Sequence, residues 1–176
     1  MNKEVALIIA PKDFRDEEYF LPREILEKEG YKVTTVSTKK GVAIGLFGGE
    51  AKVEATTEEL KEKEVDAIVL VGGPGAPKHL DIKEVHEIVF DHNKKKKAVG
   101  AICVSPIILA GAGILEGKRA TVWHSEMEKT PISKIKERGA IYEDEEVVRE
   151  GNIVTANGPE AAEKFTQTLI KVLQGN

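Results

Sequence analysis

The chain contains 176 residues, of which 41% are hydrophobic and 32% are charged, a balance typical of one globular domain rather than of a disordered segment. Its 26 Lys and Arg residues against 30 Asp and Glu residues give a net charge of −4, which argues against nucleic acid as a partner because nucleic-acid-binding surfaces carry a clustered basic excess. No apolar stretch approaches the roughly 18 residues of a membrane helix, and the run at residues 5–11 is too short for a signal peptide, so we expect a cytoplasmic protein that contacts no membrane.

Apolar runs and amphipathic segments alternate along the chain. The runs at residues 4–10, 67–71 and 98–102 are almost entirely apolar, as in parallel strands that are covered on both faces. In chain order, the pattern predicts strand 4–10, helix 17–29, strand 32–37, a glycine-rich hairpin at 41–53, helix 57–63, strand 67–71, helix 82–93 capped by Asp81, a solvated lysine turn at 94–97, strand 98–102, helix 106–112, strand 119–123, helix 131–138, strand 152–156 and helix 159–173.

This alternation of strands and helices predicts an α/β sandwich. A mainly parallel sheet would lie between two layers of helices and would be connected by right-handed crossovers. Ligands of such sheets bind beyond the carboxyl ends of the strands. We therefore expect functional residues where the apolar strands end.

The only cysteine, Cys103, lies between a predicted strand and a predicted helix. Gly100, Ala101 and Ser105 are small enough to let the two elements approach closely, and Pro106 suits the first turn of a helix. A thiol at such a bend faces unpaired N–H groups, which lower its pKa and make it nucleophilic. The alternative is a buried structural cysteine. A single cysteine also excludes an intrachain disulfide and a zinc site built from cysteines.

Gly72 and Gly73 follow the strand predicted at residues 67–71. The segment has neither the lysine of a phosphate-binding loop nor the glycine spacing of a dinucleotide site, so ATP and NAD are not predicted ligands. Two glycines at the end of a central strand can present backbone N–H groups to an anionic oxygen, as an oxyanion hole requires. The alternative is an ordinary glycine turn.

Three acidic residues, Asp16, Glu17 and Glu18, occur at the start of the first predicted helix. Acidic residues there are usually solvated and stabilised by the helix dipole. Pro22 lacks the N–H that would bind the carbonyl of Glu18, and the resulting kink would turn Glu18 toward the interior. The sequence leaves both orientations of Glu18 open.

Three features therefore occur in a fixed order: an acidic residue four positions before a proline, a strand that ends in Gly-Gly, and an Ala-Ile-Cys segment followed by a small residue and a proline. Together they resemble the ThiJ/PfpI superfamily, a flavodoxin-like group that includes deglycases, glyoxalases and intracellular peptidases. The resemblance spans nearly the whole chain, because residues 151–162 also look like that family's last strand and final helix. It implies a flavodoxin-like three-layer fold with a nucleophile elbow, no cofactor, and a homo-oligomer of two or more subunits.

The resemblance also implies roles for individual residues. Cys103 matches the family's nucleophile, and Glu18 matches the carboxylate that hydrogen-bonds its sulfur. A protonated Glu18 that donates to a thiolate would lower the pKa of the thiol, so removing Glu18 is expected to raise that pKa. Such a Glu18 needs a raised pKa of its own, which burial would supply.

Further site residues follow from the same resemblance. Gly73 and Val104 match the backbone donors of the oxyanion hole, with Gly72 beside them, and His124 falls near a histidine that many members place beside the cysteine. His124 is therefore a candidate base, although a histidine after a strand is also commonly a surface residue. The peptidases of this family carry a histidine where this chain has Val104, and their acidic residue falls near Lys78, which argues against peptidase activity.

The other three histidines lie in or beside one amphipathic segment. His79, His86 and His92 have no cysteine and no close histidine pair nearby, so we expect all three to be exposed and predict no metal site.

Three functions are compatible with these features. The first is an enzyme that acts on small reactive carbonyls through the Cys103 thiolate. The second is a hydrolase of peptides, and the third is a redox sensor or chaperone-like protein that uses an oxidisable thiol. The partner is accordingly a small carbonyl compound or a peptide. The charged residues are mostly Glu and Lys, a bias that predicts a thermophilic source.

Overall fold

A computed structural model describes residues 2–176. In chain order its strands and helices are β1 (Glu4–Ile8), β2 (Lys12–Phe14), α1 (Asp16–Lys28), β3 (Lys32–Ser37), β4 (Gly41–Gly45), β5 (Glu50–Val53), β6 (Ala55–Thr56), α2 (Thr57–Lys61), β7 (Ala67–Leu70), α3 (Gly75–His79), α4 (Lys83–Lys94), β8 (Ala98–Ile102), α5 (Pro106–Gly111), β9 (Arg119–Ala120), α6 (Thr130–Glu137), β10 (Ile141–Tyr142), β11 (Val147–Glu150), β12 (Ile153–Ala156) and, after a 3-10 turn at Pro159–Ala161, α7 (Ala162–Leu173). No helix within this part of the chain is both long enough and apolar enough to cross a membrane.

The central sheet has seven strands in the order β11-β12-β8-β7-β1-β3-β6. Every neighbouring pair is parallel except β11 and β12, which are antiparallel. The predicted α/β fold with a mainly parallel sheet is therefore confirmed. β1, β7 and β8 lie side by side at the centre, so their carboxyl ends meet at one edge of the sheet.

The continuous apolar runs are explained by cores on both faces of this sheet. Along β1, Val5 and Leu7 face a core that contains apolar residues of α1 and α7. Ala6 and Ile8 face the opposite core, which is closed by α4, α5 and α6. Because successive side chains of a strand point to opposite faces, a strand between two cores must be apolar at every position.

The predicted hairpin forms, and it belongs to a second, smaller sheet. β4 pairs antiparallel with β5, and β2 pairs parallel with β4. The sequence does not predict β2, because a three-residue strand with one buried side chain carries no periodic signal. This small sheet places the residues after β1 beside the carboxyl edge of the central sheet.

Two local predictions are wrong. The strand predicted at 119–123 is reduced to β9, which pairs with β10 outside the central sheet. Asp81 does not cap α4; the N-cap residue is Ile82, without a side-chain cap. The carboxylate of Asp81 instead lies 2.7 Å from Nε2 of His86.

Candidate active site

Cys103 occupies a strained backbone position between β8 and α5. Its φ of +64° lies in the left-handed region, which is costly for residues other than glycine. Its N–H donates to the carbonyl of Ala156 (2.9 Å), and its carbonyl accepts from the N–H of Trp123 (2.8 Å). The Ser105 hydroxyl ties the start of α5 to the carbonyl of Val71 (2.8 Å). Strained positions of this kind persist where the surrounding structure fixes them, and they cluster at functional sites.

Glu18 faces the interior. Its side chain is fully buried, and Oε2 accepts a 2.9 Å hydrogen bond from the N–H of Gly72. Within residues 2–176, Oε1 has no hydrogen-bond partner. The solvated alternative for Glu18 is therefore wrong, and the inward orientation suggested by Pro22 is observed.

Gly72 lies between the carboxyl group and the cysteine. A Cβ atom at this position would lie 2.5 Å from the Cβ of Cys103 and 2.5 Å from Oε2 of Glu18. Such distances are far below ordinary contact, so only glycine lets the carboxyl group and the cysteine approach each other here.

The carboxyl group and the thiol are coupled by their shared burial. Desolvation raises the pKa of Glu18 to about 7, although the Cys103 thiol and the Gly72 N–H oppose the shift by stabilising the carboxylate. Desolvation also raises the pKa of the Cys103 thiol, and the negative charge of Glu18 raises it further. The expectation of a thiol with a lowered pKa is therefore wrong, because burial and a neighbouring carboxylate outweigh the backbone N–H groups. When the pair carries one negative charge, the raised pKa of the thiol favours its location on Glu18.

Two backbone N–H groups oppose the rise in the pKa of the Cys103 thiol. The N–H groups of Gly73 and Val104 both stabilise the thiolate and lower its pKa. Their use as an oxyanion hole for a substrate oxygen stays a prediction. Gly73 has a φ of +102°, and a Cβ there would lie 2.5 Å from the backbone nitrogen of Arg15. That nitrogen donates a 2.9 Å hydrogen bond to the carbonyl of Gly72, which fixes the loop beside the sulfur.

A cavity of about 580 Å³ opens beside the sulfur. Four of the residues predicted from the sequence line it: Gly73, Cys103, Val104 and His124. Gly72 and Glu18 lie behind this surface. The fold therefore brings the residues predicted from the sequence together at or beside one cavity, although they form only part of its wall.

His124, which also lines the cavity, belongs to a small polar network. Its Nδ1 is 3.3 Å from the hydroxyl of Tyr142, and its Nε2 is 3.8 Å from Oδ1 of Asp144. The Tyr142 hydroxyl donates to the same carboxylate oxygen at 3.2 Å. Sequence reasoning missed Tyr142 and Asp144, because they reach His124 through the separate strand β10 and no motif links them to it.

Sequence reasoning also missed Arg15, which lines the cavity. Arg15 lies between β2 and α1 and directly precedes the acidic first turn of α1, which contains Glu18. The acidic residues of that segment indicated a helix start, whereas a single arginine in a turn gave no signal of its own.

The remaining histidines are not all exposed as expected. His92 is buried, and its Nε2 has no partner within residues 2–176. Desolvation lowers the pKa of His92 to about 4, so it is a neutral residue of the core. Across the part of the chain described, no group of three or more His, Cys, Asp or Glu side chains is placed to bind a metal ion.

The model of the DJ-1/PfpI family matches residues 3–172. The chain belongs to the DJ-1/PfpI family. It is 43% identical over 176 residues to the protein MJ0967 of Methanocaldococcus jannaschii, covering 99% of this chain and 84% of that one. It is 32% identical over 169 residues to the deglycase PfpI of Pyrococcus furiosus, covering 96% and 98%.

Relatives also include an animal protein and a solved structure. The glutathione-independent glyoxalase DJR-1.2 of Caenorhabditis elegans is 25% identical over 174 residues, covering 99% of this chain and 90% of that one. The crystal structure of a ThiJ/PfpI domain protein from Brachyspira murdochii superposes with a TM-score of 0.92 at 31% identity, covering 100% of this chain and 99% of that one. The flavodoxin-like fold predicted from the motifs is therefore confirmed.

Proposed function

We propose that this protein converts small α-oxoaldehydes, or their adducts with amines and thiols, into hydroxy acids through Cys103. The observation that carries the proposal is the contact of a strained cysteine, a buried carboxyl group with an unpartnered oxygen, and backbone N–H groups beside one cavity. The names deglycase and glyoxalase given to two relatives agree with this chemistry.

The first step is the addition of Cys103 to the aldehyde carbon. A thiol with a raised pKa needs a base at the moment of attack, and Glu18, whose pKa is about 7, is ionised in a large fraction of molecules near neutral pH. Glu18 takes the thiol proton as the carbon–sulfur bond forms and then delivers it to the new alkoxide oxygen, so that a neutral hemithioacetal results and Glu18 is ionised again for the second step. The oxygen of the resulting hemithioacetal is stabilised by the N–H groups of Gly73 and Val104.

The second step moves a hydrogen between adjacent carbon atoms. Glu18 or His124 removes the proton from the former aldehyde carbon, and protonation of the neighbouring carbon converts its carbonyl into a hydroxyl group. The former aldehyde carbon is thereby oxidised to a thioester, and its neighbour is reduced by the same electron pair. Water then hydrolyses the thioester to the hydroxy acid and restores the Cys103 thiol, so the reaction needs no external oxidant or reductant.

Lactate formation from methylglyoxal tests the proposal. We expect the wild type to release lactate, Cys103→Ser to release none, and Glu18→Gln to be slowed at least about a hundredfold through loss of the base. An exposed glutamate of α1 provides the matched control, so Glu24→Gln should leave the rate unchanged. Equal rates in wild type and Cys103→Ser would overturn the proposal.

A peptide hydrolase is a second candidate. The observation in its favour is that Cys103 and His124 line one cavity and that Asp144 lies beside His124, since a cysteine, a histidine and an orienting carboxylate are the groups that a cysteine hydrolase uses. Val104 and Lys78, which replace the family's peptidase residues, argue against it. Cleavage of a fluorogenic peptide that iodoacetamide blocks would support hydrolysis, and its absence at elevated temperature would remove this candidate.

The redox-sensor alternative is weakened by burial. Cys103 is only 8% exposed whereas Met127 is 98% exposed, and oxidation follows thiolate character and exposure. Mass spectrometry after mild peroxide treatment should therefore find Met127 oxidised before Cys103.

The proposal also includes a cytoplasmic location and protomers that pair near the active site, as the resemblance implies. Light scattering that finds only monomers would contradict the pairing.

A further inference from the structure

One cationic side chain, that of Arg15, lines the cavity beside Cys103. Within residues 2–176, Arg15 is the single Lys or Arg residue that lines this cavity. The negative charges of Glu18 and of an ionised Cys103 both raise the pKa of Arg15, after the larger effect of Glu17. The guanidinium group is therefore close enough to the reacting groups to act on them electrostatically.

The guanidinium group is held on one edge and on one face. Its Nε donates to Oε2 of Glu17 at 2.7 Å, and its Nη2 lies 3.5 Å from Oε1 of the same residue. Its Cζ lies 4.8 Å from the centre of the Phe47 ring, a distance at which a cation and an aromatic face attract each other. Because both contacts fix the plane of the group, Arg15 needs little reordering to bind a ligand.

The loop that carries Phe47 is itself fixed. Asp16 accepts a 2.9 Å hydrogen bond from the N–H of Phe47 and a 2.8 Å hydrogen bond from the N–H of Gly49. Arg15 is also tied through its own N–H to the carbonyl of Gly72 at 2.9 Å. The same short segment thus links the guanidinium group to the loop that precedes Gly73.

The other edge of the guanidinium group has no protein partner. No acceptor within residues 2–176 binds Nη1, since the contacts with Glu17 use only Nε and Nη2. That end carries N–H groups in the geometry that matches two oxygens of a carboxylate or a phosphate. Glu17 does not block this use, because it contacts only the edge formed by Nε and Nη2 and because its charge is partly exposed and therefore screened.

We propose that Arg15 is an anion-binding residue of this cavity and that it selects carbonyl substrates that carry a carboxylate or a phosphate. This inference rests on the proposed function for its substrate class. An anionic substrate would otherwise be repelled by the ionised Glu18, and a fixed cation on the cavity wall offsets that repulsion. Glu160, the other charged residue of the wall, is exposed at the surface, where its charge is screened.

Alkylation of Cys103 tests the charge of the cavity without any enzymatic activity. Iodoacetate is anionic and iodoacetamide is neutral, and both react with the thiolate. The ratio of the iodoacetate rate to the iodoacetamide rate is therefore independent of the thiol pKa. The chain has one cysteine, so the ratio reports only this site. We expect Arg15→Gln to lower the ratio about three- to tenfold.

Two further variants control this measurement. Lys28→Gln makes the same charge change in the last turn of α1, about 20 Å along the helix, and should leave the ratio unchanged. Glu17→Gln removes the anion beside Arg15 and should raise the ratio of the iodoacetate rate to the iodoacetamide rate. An unchanged ratio in Arg15→Gln, an equal fall in Lys28→Gln, or a fall in Glu17→Gln would each overturn the proposal.

Substrate comparison then identifies the anion. The kcat/KM for methylglyoxal, which is neutral, is compared with the values for dioxovalerate, which carries a carboxylate, and hydroxypyruvaldehyde phosphate. Beyond any change in the methylglyoxal value, which reports the effect of Arg15 on Glu18 and Cys103, Arg15→Gln should lower the value for at least one anionic compound about tenfold or more. The compound more affected identifies carboxylate or phosphate, and an equal loss for all three would overturn the selection. A wild type that converts none of them contradicts the proposed function, whereas the alkylation ratio still decides whether Arg15 binds anions.

Discussion

The N–H of Gly72 donates a 2.9 Å hydrogen bond to Oε2 of Glu18. The strand end that supplies the proposed oxyanion donor Gly73 therefore also holds the proposed base. Any shift of this loop would move both groups relative to Cys103. The backbone satisfies one oxygen of this buried carboxyl group, whereas Oε1 has no hydrogen-bond partner within residues 2–176.

The first prediction concerns the pKa of the Cys103 thiol. Because the charge of Glu18 raises this pKa, Glu18→Gln should lower it by about one unit or more, which corresponds to about 1.4 kcal/mol. Glu18→Leu should lower it less, since leucine removes the charge but offers no polar group. The ultraviolet absorbance of the thiolate during a pH titration measures both, with Glu24→Gln as control. A rise in Glu18→Leu would show instead that a protonated Glu18 donates to the thiolate.

The second prediction concerns stability and pH. Burial raises the pKa of Glu18 from 4.5 to about 7, so the folded state binds the proton more tightly than the unfolded chain does. The resulting contribution to the free energy of unfolding is fully present below about pH 4.5 and is lost as the pH rises through 7. The loss amounts to about 3 kcal/mol. Because a glutamine side chain does not titrate, the free energy of unfolding of Glu18→Gln should not show this loss.

Urea unfolding of both proteins between about pH 4.5 and 8 measures this effect. His92, with a pKa lowered to about 4, acts in the opposite direction, since its contribution is lost as the pH falls from about 6.5 to 4. Both proteins contain His92, so the difference between their unfolding free energies isolates Glu18. A difference that does not change with pH would mean that Glu18 has an ordinary pKa in the folded state.

The sequence predicts the elements that have strong periodic signals. The central strands β1, β7 and β8 are recognised because burial between two cores requires apolar side chains at every position. Gly72 and Cys103 are recognised because each follows such a strand, whereas Glu18 is recognised from its spacing to Pro22 and from the family resemblance. Short pairings such as β9 with β10 depend on contacts between distant segments and leave no local pattern.

The electrostatics of the site could not be predicted in the same way. The position of Cys103 before a helix indicated a lowered pKa, whereas the folded chain encloses the thiol together with Glu18 and reverses the shift. Burial depends on the packing of several elements at once. The residues around His124 illustrate the same point, because Tyr142 is brought to it only by the folded arrangement of β10.

The third prediction concerns Tyr142. Its hydroxyl contacts His124 and Asp144, and burial raises its pKa to about 12, so it remains protonated and can orient the imidazole ring. Tyr142→Phe should lower kcat for methylglyoxal about fivefold, the effect of one hydrogen bond, with little change in KM. Tyr31→Phe, a partly buried tyrosine outside the cavity, is the control. An unchanged kcat in Tyr142→Phe would show that His124 takes no part in the rate-limiting step.

The fourth prediction concerns the space between Glu18 and Cys103. In Gly72→Ala the new methyl group would lie 2.5 Å from Cys103 Cβ, 2.5 Å from Glu18 Oε2 and 2.7 Å from the carbonyl oxygen of Ile102. Overpacking against a backbone atom cannot be relieved by a side-chain rotation, so we expect a loss of about 1–3 kcal/mol in the free energy of unfolding. The same methyl group separates the base from the thiol. Lactate formation per folded molecule should therefore fall about a hundredfold.

Gly151→Ala is the contrasting control, because it adds a methyl group with backbone strain and no clash, whereas Gly72 lies outside the left-handed region and its methyl group would clash. Gly151 has a φ of +62°, and a Cβ there meets no atom within 4 Å, so this variant measures the cost of backbone strain alone, about 1 kcal/mol. Its activity should equal that of the wild type. Urea unfolding and the lactate assay on both variants separate the two effects. If Gly72→Ala retained full activity after correction for its folded fraction, the close approach of Glu18 to Cys103 would not be needed for the reaction.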